Sequence, residues 1–256
     1  HAPFVASSSP KLFDMKSWTE LAVPRDLSKI FESAEVIPWR SFRESEDSRY
    51  CTLVLPRYAS RLPYGEATNP VEQFAFEEAV DGRDHDAYLW SNMAYQLGLK
   101  MTDAFAKYGW TTAIPGVEGG GKISDLPAHT FTTDEGDIAL KCPTETLITD
   151  RREKELNDLG FCAAVSAKGT NFAAFFSGQT VNKPVLYNTD SANANAKLSA
   201  RLPYIMAASR FAHYLKVMMR DKIGSFEWSF TDFSFARGSA VVVVVCGDGR
   251  CGCMAA

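Results

Sequence analysis

The chain has 256 residues, of which 46% are hydrophobic and 23% are charged, an ordinary composition for a globular protein. Its net charge of -4 and its pI near 5.6 argue against a nucleic-acid-binding protein, because such proteins usually carry a basic excess. No apolar run reaches the roughly 18 residues that cross a bilayer, and the start HAPFVASSSP lacks the features of a signal peptide. We therefore expect a cytoplasmic protein without membrane insertion, with single, reduced cysteines among apolar residues.

The first third of the chain predicts short elements separated by turns. Ser17 and Asp26 are candidate N-caps for helices at Trp18 to Leu21 and Leu27 to Glu32, because their side chains can accept a free helix N–H. The β-rich run from Tyr50 to Leu55 predicts a strand that ends at a proline.

The middle of the chain predicts one long helix and a pair of short strands. Apolar residues recur every four positions over about 86–108, which favours an amphipathic helix, and Gly109 is well placed to end it. A glycine-rich loop follows over 111–127. Two short strands are then predicted at residues 131–133 and 137–142, around an Asp-Glu-Gly turn.

The last third of the chain predicts a charged helix, two strands and the longest helix. Asp150 is expected to cap the charged helix, which Gly160 closes, and strands follow at 161–165 and 171–176. An apolar stripe predicts a helix over roughly 194–223, in which Pro203 either introduces a kink or marks the true start. The stripe comprises Leu198, Leu202, Ile205, Met206, Phe211, Leu215 and Met218.

The mixed order of helices and short strands predicts an α/β (mixed α+β) fold without strict alternation. We expect a core domain over residues 1–226. The remainder, 227–256, is an atypical tail whose aromatic segment 227–235 and valine run 241–245 resemble strands that need a pairing partner.

No motif predicts catalysis, a metal or a cofactor. The nearest candidate is Gly116 to Lys122, GVEGGGK, which nearly matches a phosphate-binding loop but has Ile123 where the magnesium-binding hydroxyl is required. Three cysteines near the C-terminus lack a nearby histidine, so a tetrahedral zinc site is not favoured. We therefore predict a protein that is not an enzyme, and keep nucleotide binding through this loop as an alternative.

The most informative segment is PWRSFRESEDSRYCTLVLPRYASRLPYG, residues 38–65, which combines five arginines with aromatic residues. Arginine pairs with carboxylates in bidentate geometry and stacks on aromatic rings, and this composition is typical of interface hot spots. The other reading is an internal arginine–carboxylate network that fixes a loop to its own domain, and we expect both in part. The interface candidates in this segment are Trp39, Arg40, Arg43, Arg49, Arg57, Arg61 and Tyr64.

The charged helix DRREKELNDLG adds the interface candidates Arg151, Arg152 and Glu153. An ordinary solvated helix face explains the same pattern, because charges three positions apart are neighbours on a helix and exposed pairs contribute little. The sequence does not distinguish an interface from a solvated helix face at these residues.

Five segments of the chain resemble the large subunit of the type VI secretion contractile sheath, the TssC/VipB family. They are the arginine-rich segment, FVASSSPKLFDMKSWTEL (4–21), PRDLSKIFESAEVIPWRSFR (24–43), KCPTETLITDRREKELNDLGF (141–161) and RLPYIMAASRFAHYLKVMMRDKIGSF (201–226). The resemblance implies a phage-tail-sheath-like fold, present in part. Because family members are longer, we expect this chain to correspond to their middle-to-C-terminal portion.

The resemblance also implies partners. These are a small sheath subunit (TssB/VipA-like), neighbouring sheath protomers, the Hcp inner tube, the baseplate and the ClpV unfoldase, with no nucleic acid. The implied location is the cytoplasm of a Gram-negative bacterium, where the sheath attaches to a membrane-anchored baseplate and its contraction propels effector delivery. A single-subunit phage-type tail sheath protein is the remaining alternative.

Overall fold

The computed structural model describes residues 2–73 and 75–222, together with two strands at 242–247 and 250–255, and it describes side chains as far as residue 221. The aromatic segment 227–235, predicted above to be strand-like, lies outside the described residues. The valine run forms a strand from Val242, as expected. The helices and the mixed sheet confirm the α/β class.

In the described part of the chain, a seven-stranded mixed sheet forms the centre of the fold. Its strands are β1 (Phe4–Ser7), β2 (Cys51–Leu55), β5 (Lys122–Ile123), β8 (Phe161–Ser166), β9 (Ala173–Phe175), β10 (Val242–Gly247) and β11 (Arg250–Ala255). The spatial order is β11-β10-β1-β2-β8-β9-β5, in which β10, β1, β2 and β8 run parallel and the remaining pairs are antiparallel. Two small sheets pair β3 (Tyr58–Ala59) with β4 (Trp90–Ser91), and β6 (Thr130–Thr132) with β7 (Ile138–Leu140).

The central strands bury both of their faces, because successive side chains of a strand point to opposite sides. Val54 and Cys162 contact one apolar core, whereas their neighbours Leu55 and Phe161 contact a second core on the other face. The buried runs in β2 and β8 therefore divide the interior into two layers, one on each side of the sheet.

Helix α3 (Met93–Tyr108) covers the first face of the sheet with Met93, Leu97 and Met101. Its C-terminal end is as predicted, since Gly109 adopts a left-handed φ of 68°. The predicted start near residue 86 is wrong. Trp90–Ser91 instead forms strand β4, and the Asn92 side chain accepts the Ala94 N–H at 2.7 Å, which starts the helix.

Aromatic side chains from the first third of the chain cover the second face. The rings of Phe13, Phe31 and Trp39 pack around Phe161 with centroid distances of 4.6, 5.6 and 5.3 Å. They lie in or beside 3-10 helices at Pro10–Phe13, Trp18–Ala22, Ala34–Val36 and Asp47–Tyr50, and helices α1 (Leu27–Glu32) and α2 (Ile37–Glu44). The helices predicted at Trp18 to Leu21 and Leu27 to Glu32 therefore match Trp18–Ala22 and α1 to within one residue.

Capping was predicted only in part. The Ser17 side chain accepts the Thr19 N–H as expected. Asp26 occupies the N-cap position of α1 but makes no side-chain cap bond, and Asp150 is the first residue of helix α4 (Asp150–Asp158) rather than its cap, because Thr149 takes that position.

Two helices occupy the stretch where one was predicted. They are α5 (Asp190–Ser199) and α6 (Leu202–Lys222), so Pro203 marks the true start of the second helix. Proline fits this first turn because the turn has no use for its missing N–H. The strand pair β6–β7 confirms the hairpin expectation, with Gly136 at φ 87° in its turn.

Gly160 lies in the turn between α4 and β8, where the surrounding atoms are packed closely against it. Its φ is 89°, and an added Cβ would lie 2.8 Å from the Val181 carbonyl oxygen and 2.9 Å from the Arg43 Nε. Gly109 is a matched control, since it ends α3 at φ 68° with nothing within 4 Å of the added atom. We expect Gly109→Ala to lower the free energy of unfolding by about 1 kcal/mol, through backbone strain alone.

Gly160→Ala should cost about 2–3 kcal/mol, because it adds a clash with backbone to the same strain. Urea unfolding followed by circular dichroism measures both variants. Equal costs for the two substitutions would contradict the close packing described for Gly160.

Candidate assembly surface

The arginine-rich segment runs from α2 through β2 into the loop after β3, and its arginines have different surroundings. Three of them, Arg43, Arg57 and Arg61, hold other parts of this chain. Arg40 and Arg49 are described separately below.

Arg57 forms a bidentate pair with Glu145, whose side chain is fully buried. The Arg57 Nε lies 2.5 Å from Oε2, and Nη2 lies 2.8 Å from Oε1. The same carboxylate accepts the Ser17 hydroxyl at 3.1 Å and the Trp18 N–H at 3.3 Å, and the His85 Nε2 lies 3.5 Å away. Glu145 therefore joins four segments of the chain at one point.

The surroundings of Glu145 act in opposite directions on its pKa. Burial raises the pKa, but hydrogen bonds from His85 and Arg57, the charge of Arg57 and the Ser17 hydroxyl outweigh burial and lower the pKa to about 2. Glu145 is thus ionised at neutral pH. The residue was not predicted as a site, because a single glutamate in KCPTETL carries no local signal.

Arg61 closes the loop that follows β3. Its guanidinium donates to Glu78 at 2.8 and 2.7 Å and lies 3.8 Å above the centre of the Tyr64 ring. The Tyr64 N–H donates to the same carboxylate at 2.9 Å. The Arg61 hydrogen bonds, with the Tyr64 N–H, lower the pKa of Glu78 to about 2 against the opposing effect of burial.

We expect Glu78→Gln to open this loop with little effect on global stability. The two side chains are half-buried near the surface, where solvent still screens the pair, so the free energy of unfolding should fall by about 1 kcal/mol. Amide hydrogen exchange of residues 62–69 should nonetheless accelerate several-fold, because local opening needs only the loss of local contacts. Glu118→Gln, an exposed site outside the loop, is the control. Unchanged exchange in the loop would contradict the role of the pair.

Arg43 is buried and bonds only to backbone. Its Nε donates to the Val181 carbonyl and its Nη2 to the Asp158 carbonyl, both at 2.9 Å. Burial lowers its pKa to about 10, and the charge of Asp158 partly offsets that effect. Arg43 therefore ties α2 to the end of α4 and to the segment after β9.

Trp39 and Tyr64 also turn inward, since Trp39 stacks on Phe161 and Tyr64 lies under the Arg61 guanidinium. On the charged helix α4, Arg152 donates to the Val23 and Arg25 carbonyls as well as to Glu155. Glu153 accepts hydrogen bonds from Asn157 and Ser177. The structure thus gives the interface candidates on these elements partners within their own domain.

The candidates that remain on the surface are Arg40, Arg49 and Arg151. Arg40 is exposed and donates to the Glu32 carbonyl at 3.2 Å. Arg151 is exposed on α4. Arg49 is half-buried, and its side chain has no hydrogen bond or ion pair with any residue that the structure describes.

Helix α6 exposes an apolar stripe that sequence analysis assigned to the packed side. Leu202, Ile205 and Met206 are buried, but Leu198, Phe211 and Leu215 are about half exposed. Met218 is partly buried, and Met219, which was not part of the predicted stripe, is exposed. Among the residues that the structure describes, the Phe211 ring lies 5.4 Å from the Trp110 ring, and the later turns of α6 are more exposed than its first turns. An apolar period of 3.6 residues cannot distinguish a core face from an interface face.

The glycine-rich loop does not have the geometry of a phosphate-binding loop. The Gly116 N–H donates to the Phe175 carbonyl and the Gly121 N–H to the Gly116 carbonyl, so neither is free for a phosphate. Lys122 lies in strand β5, where such a motif would begin a helix, and its ammonium group lies over the Phe172 ring.

Neither a metal site nor a membrane-spanning helix is found in the part of the chain that the structure describes. Among residues 2–73 and 75–221, no group of three or more histidine, cysteine or acidic side chains is placed to hold a metal ion. Among the helices that the structure describes, none has the length and apolar character needed to cross a membrane.

The described part of the chain thus has an α/β fold, arginines that pair internally and a helix face with exposed apolar side chains, and comparisons with known proteins give its family. The family model described as EvpB/VC_A0108, tail sheath N-terminal domain, matches residues 1–182, and the EvpB/VC_A0108 tail sheath gpW/gp25-like domain matches residues 191–231. The chain therefore belongs to the VipB family of tail sheath proteins.

The name of one similar protein identifies the kind of tail sheath protein more narrowly. The type VI secretion system sheath protein TssC1 of Pseudomonas aeruginosa is 54% identical over 227 residues, which are 89% of this chain and 46% of that protein. The resemblance to the large sheath subunit is thus confirmed, and the chain spans about half the length of this relative. The family match also supports the sheath-like fold.

Proposed function

We propose that this chain is part of a large sheath subunit that pairs with a small sheath subunit in the cytoplasm and builds a helical tubule around an Hcp inner tube. Contraction of the tubule propels effector delivery from a baseplate, and the ClpV unfoldase recycles the contracted sheath. The family match over residues 1–182 and 191–231 carries the proposal. The role is structural, as the family implies.

The geometry supports a subunit that moves as a rigid body. A contractile lattice changes the contacts between subunits while each subunit keeps its shape. The Glu145 site, the Arg43 contacts and the two-layered core fix the loops of this chain internally. The apolar stripe on α6 and the exposed arginines Arg40 and Arg151 remain for contacts with neighbouring protomers.

Co-expression with the small sheath subunit encoded beside it, followed by affinity purification and negative-stain electron microscopy, tests this function. We expect co-purification, and tubules or rings where the chain also keeps its assembly elements. Tubules formed without the small subunit would instead identify a single-subunit, phage-type sheath. Absence of co-purification with both this chain and a full-length version would overturn the proposal.

A further inference from the structure

Arg49 differs from the other four arginines of the segment at residues 38–65. Each of the others donates to a carboxylate or carbonyl of its own chain. The Arg49 Nε is shielded from solvent and has no acceptor among the residues that the structure describes. A buried donor without an acceptor costs free energy, so this part of the chain gains no hydrogen bond from the guanidinium.

Arg49 lines a surface cavity of about 180 Å³ between the 3-10 helix Asp47–Tyr50, the segment 182–187 and helix α5. A cavity of about 150 Å³ holds a ring the size of benzene, so there is space for one side chain. Asn182, Tyr187 and Asn195 add polar atoms to the wall, and no aspartate or glutamate is among the lining residues that the structure describes. Arg49 is therefore the charged group of an otherwise neutral pocket.

The rim of the pocket is apolar and exposed. Val185, Leu186 and Tyr187 are 57%, 80% and 53% exposed, and they lie on the strip that joins the two family-matched ranges. The backbone of Tyr187 is fixed by two hydrogen bonds with the Asn193 side chain, at 2.7 and 2.9 Å. A central arginine surrounded by apolar side chains on a fixed loop is the composition of a binding hot spot.

We propose that the Arg49 pocket binds an aspartate or glutamate side chain, flanked by apolar residues, from the small sheath subunit. This inference rests on the proposed function and assigns one of its contacts. The carboxylate supplies the acceptors that the guanidinium lacks, in a partly desolvated site where charge-assisted hydrogen bonds are strong. The flanking apolar residues cover Val185 and Leu186.

A stability measurement separates a binding arginine from a structural one. Arg49→Met keeps the length of the side chain and removes the unpaired donor, so Tm should stay within about 1 °C of wild type or rise. Arg43→Met, which removes an arginine with both donors paired, should lower Tm clearly. A loss with Arg49→Met as large as that with Arg43→Met would overturn the inference, because Arg49 would then support the fold.

A binding measurement uses the small sheath subunit itself as the probe. We expect Arg49→Met to weaken its Kd about tenfold or more, and Arg49→Lys to weaken it less. Arg83→Met, which changes an exposed arginine paired with Asp134, should alter the Kd little. Equal binding by wild type and Arg49→Met would overturn this inference and leave the proposed function intact. Binding by a full-length version but not by this wild-type chain would overturn this inference alone, and failure of both to bind would overturn the proposed function as well.

Photo-crosslinking identifies the occupant of the pocket. With p-benzoylphenylalanine in place of Tyr187, we expect mass spectrometry to find a crosslinked peptide of the small subunit that contains aspartate or glutamate. Reversal of that acidic residue to arginine should restore the binding lost in Arg49→Glu. Crosslinks solely between copies of this chain, or none in a complex that has formed, would overturn the assignment.

Discussion

Substitution of Glu145 by glutamine is expected to lower the free energy of unfolding by about 3 kcal/mol at pH 7. The change removes the carboxylate that pairs with Arg57 and accepts the Ser17 hydroxyl and the Trp18 N–H. Loss of one partner from a buried pair costs about 3–5 kcal/mol, and the lower end applies because the Arg57 side chain is 37% exposed. Urea unfolding at pH 7 measures the effect, with Glu118→Gln as the exposed control.

The same substitution should alter how stability depends on pH. The pKa of Glu145 is about 2 in the folded chain and about 4.3 in an unfolded one, so its contribution is complete above pH 4.3 and disappears as the pH falls towards 2. In wild type we expect the unfolding free energy to fall by about 3 kcal/mol across this window on account of Glu145. Glu145→Gln should lack that part of the slope. A parallel slope in the two proteins would contradict the ionised, hydrogen-bonded carboxylate.

The second large effect is expected for Arg43→Met, at about 3 kcal/mol of lost stability. The methionine is of similar length but leaves the Val181 and Asp158 carbonyls without their donor, and an unsatisfied buried group costs about 1–3 kcal/mol. Arg40→Met is the matched control, because Arg40 lies on the same helix, is exposed and donates to a single carbonyl. The two variants should differ by at least 2 kcal/mol in urea unfolding.

An equal loss in the two variants would mean that helix propensity, rather than the buried hydrogen bonds, determines the effect. Hydrogen exchange gives an independent readout. In Arg43→Met we expect faster exchange at Val181 and Lys183, whose N–H groups donate to the Cys51 and Arg43 carbonyls.

Local signals predicted the elements whose causes are local. The glycine after α3, the proline in the first turn of α6 and the apolar run that forms β8 each depend on a few neighbouring residues. The start of α3 could not be predicted, because Trp90 pairs with Ala59, which lies 31 positions earlier in the chain. Tertiary pairing there overrides a helical period that the sequence supports.

In the candidate site, too, local features could be predicted from the sequence and long-range contacts could not. Composition identified the arginine-rich segment, but not which arginine uses its donors internally, because the acceptors of Arg43 and Arg57 lie 88 to 138 positions away in sequence. Glu145 was missed for this reason. That the Arg49 Nε has no acceptor among the described residues is likewise visible only when the packed neighbours of its guanidinium are known.

The pairing of β2 with β8 has a consequence for synthesis of the chain. Leu53 lies beside Phe161, so more than a hundred residues separate strands that are adjacent in the sheet. The ribosome must deliver β8 before β2 gains its second neighbour, and contacts between such distant residues form slowly. Until then the apolar residues of β1 and β2 stay accessible to chaperones and to other nascent chains. Fragments that end before residue 161 should therefore accumulate in inclusion bodies.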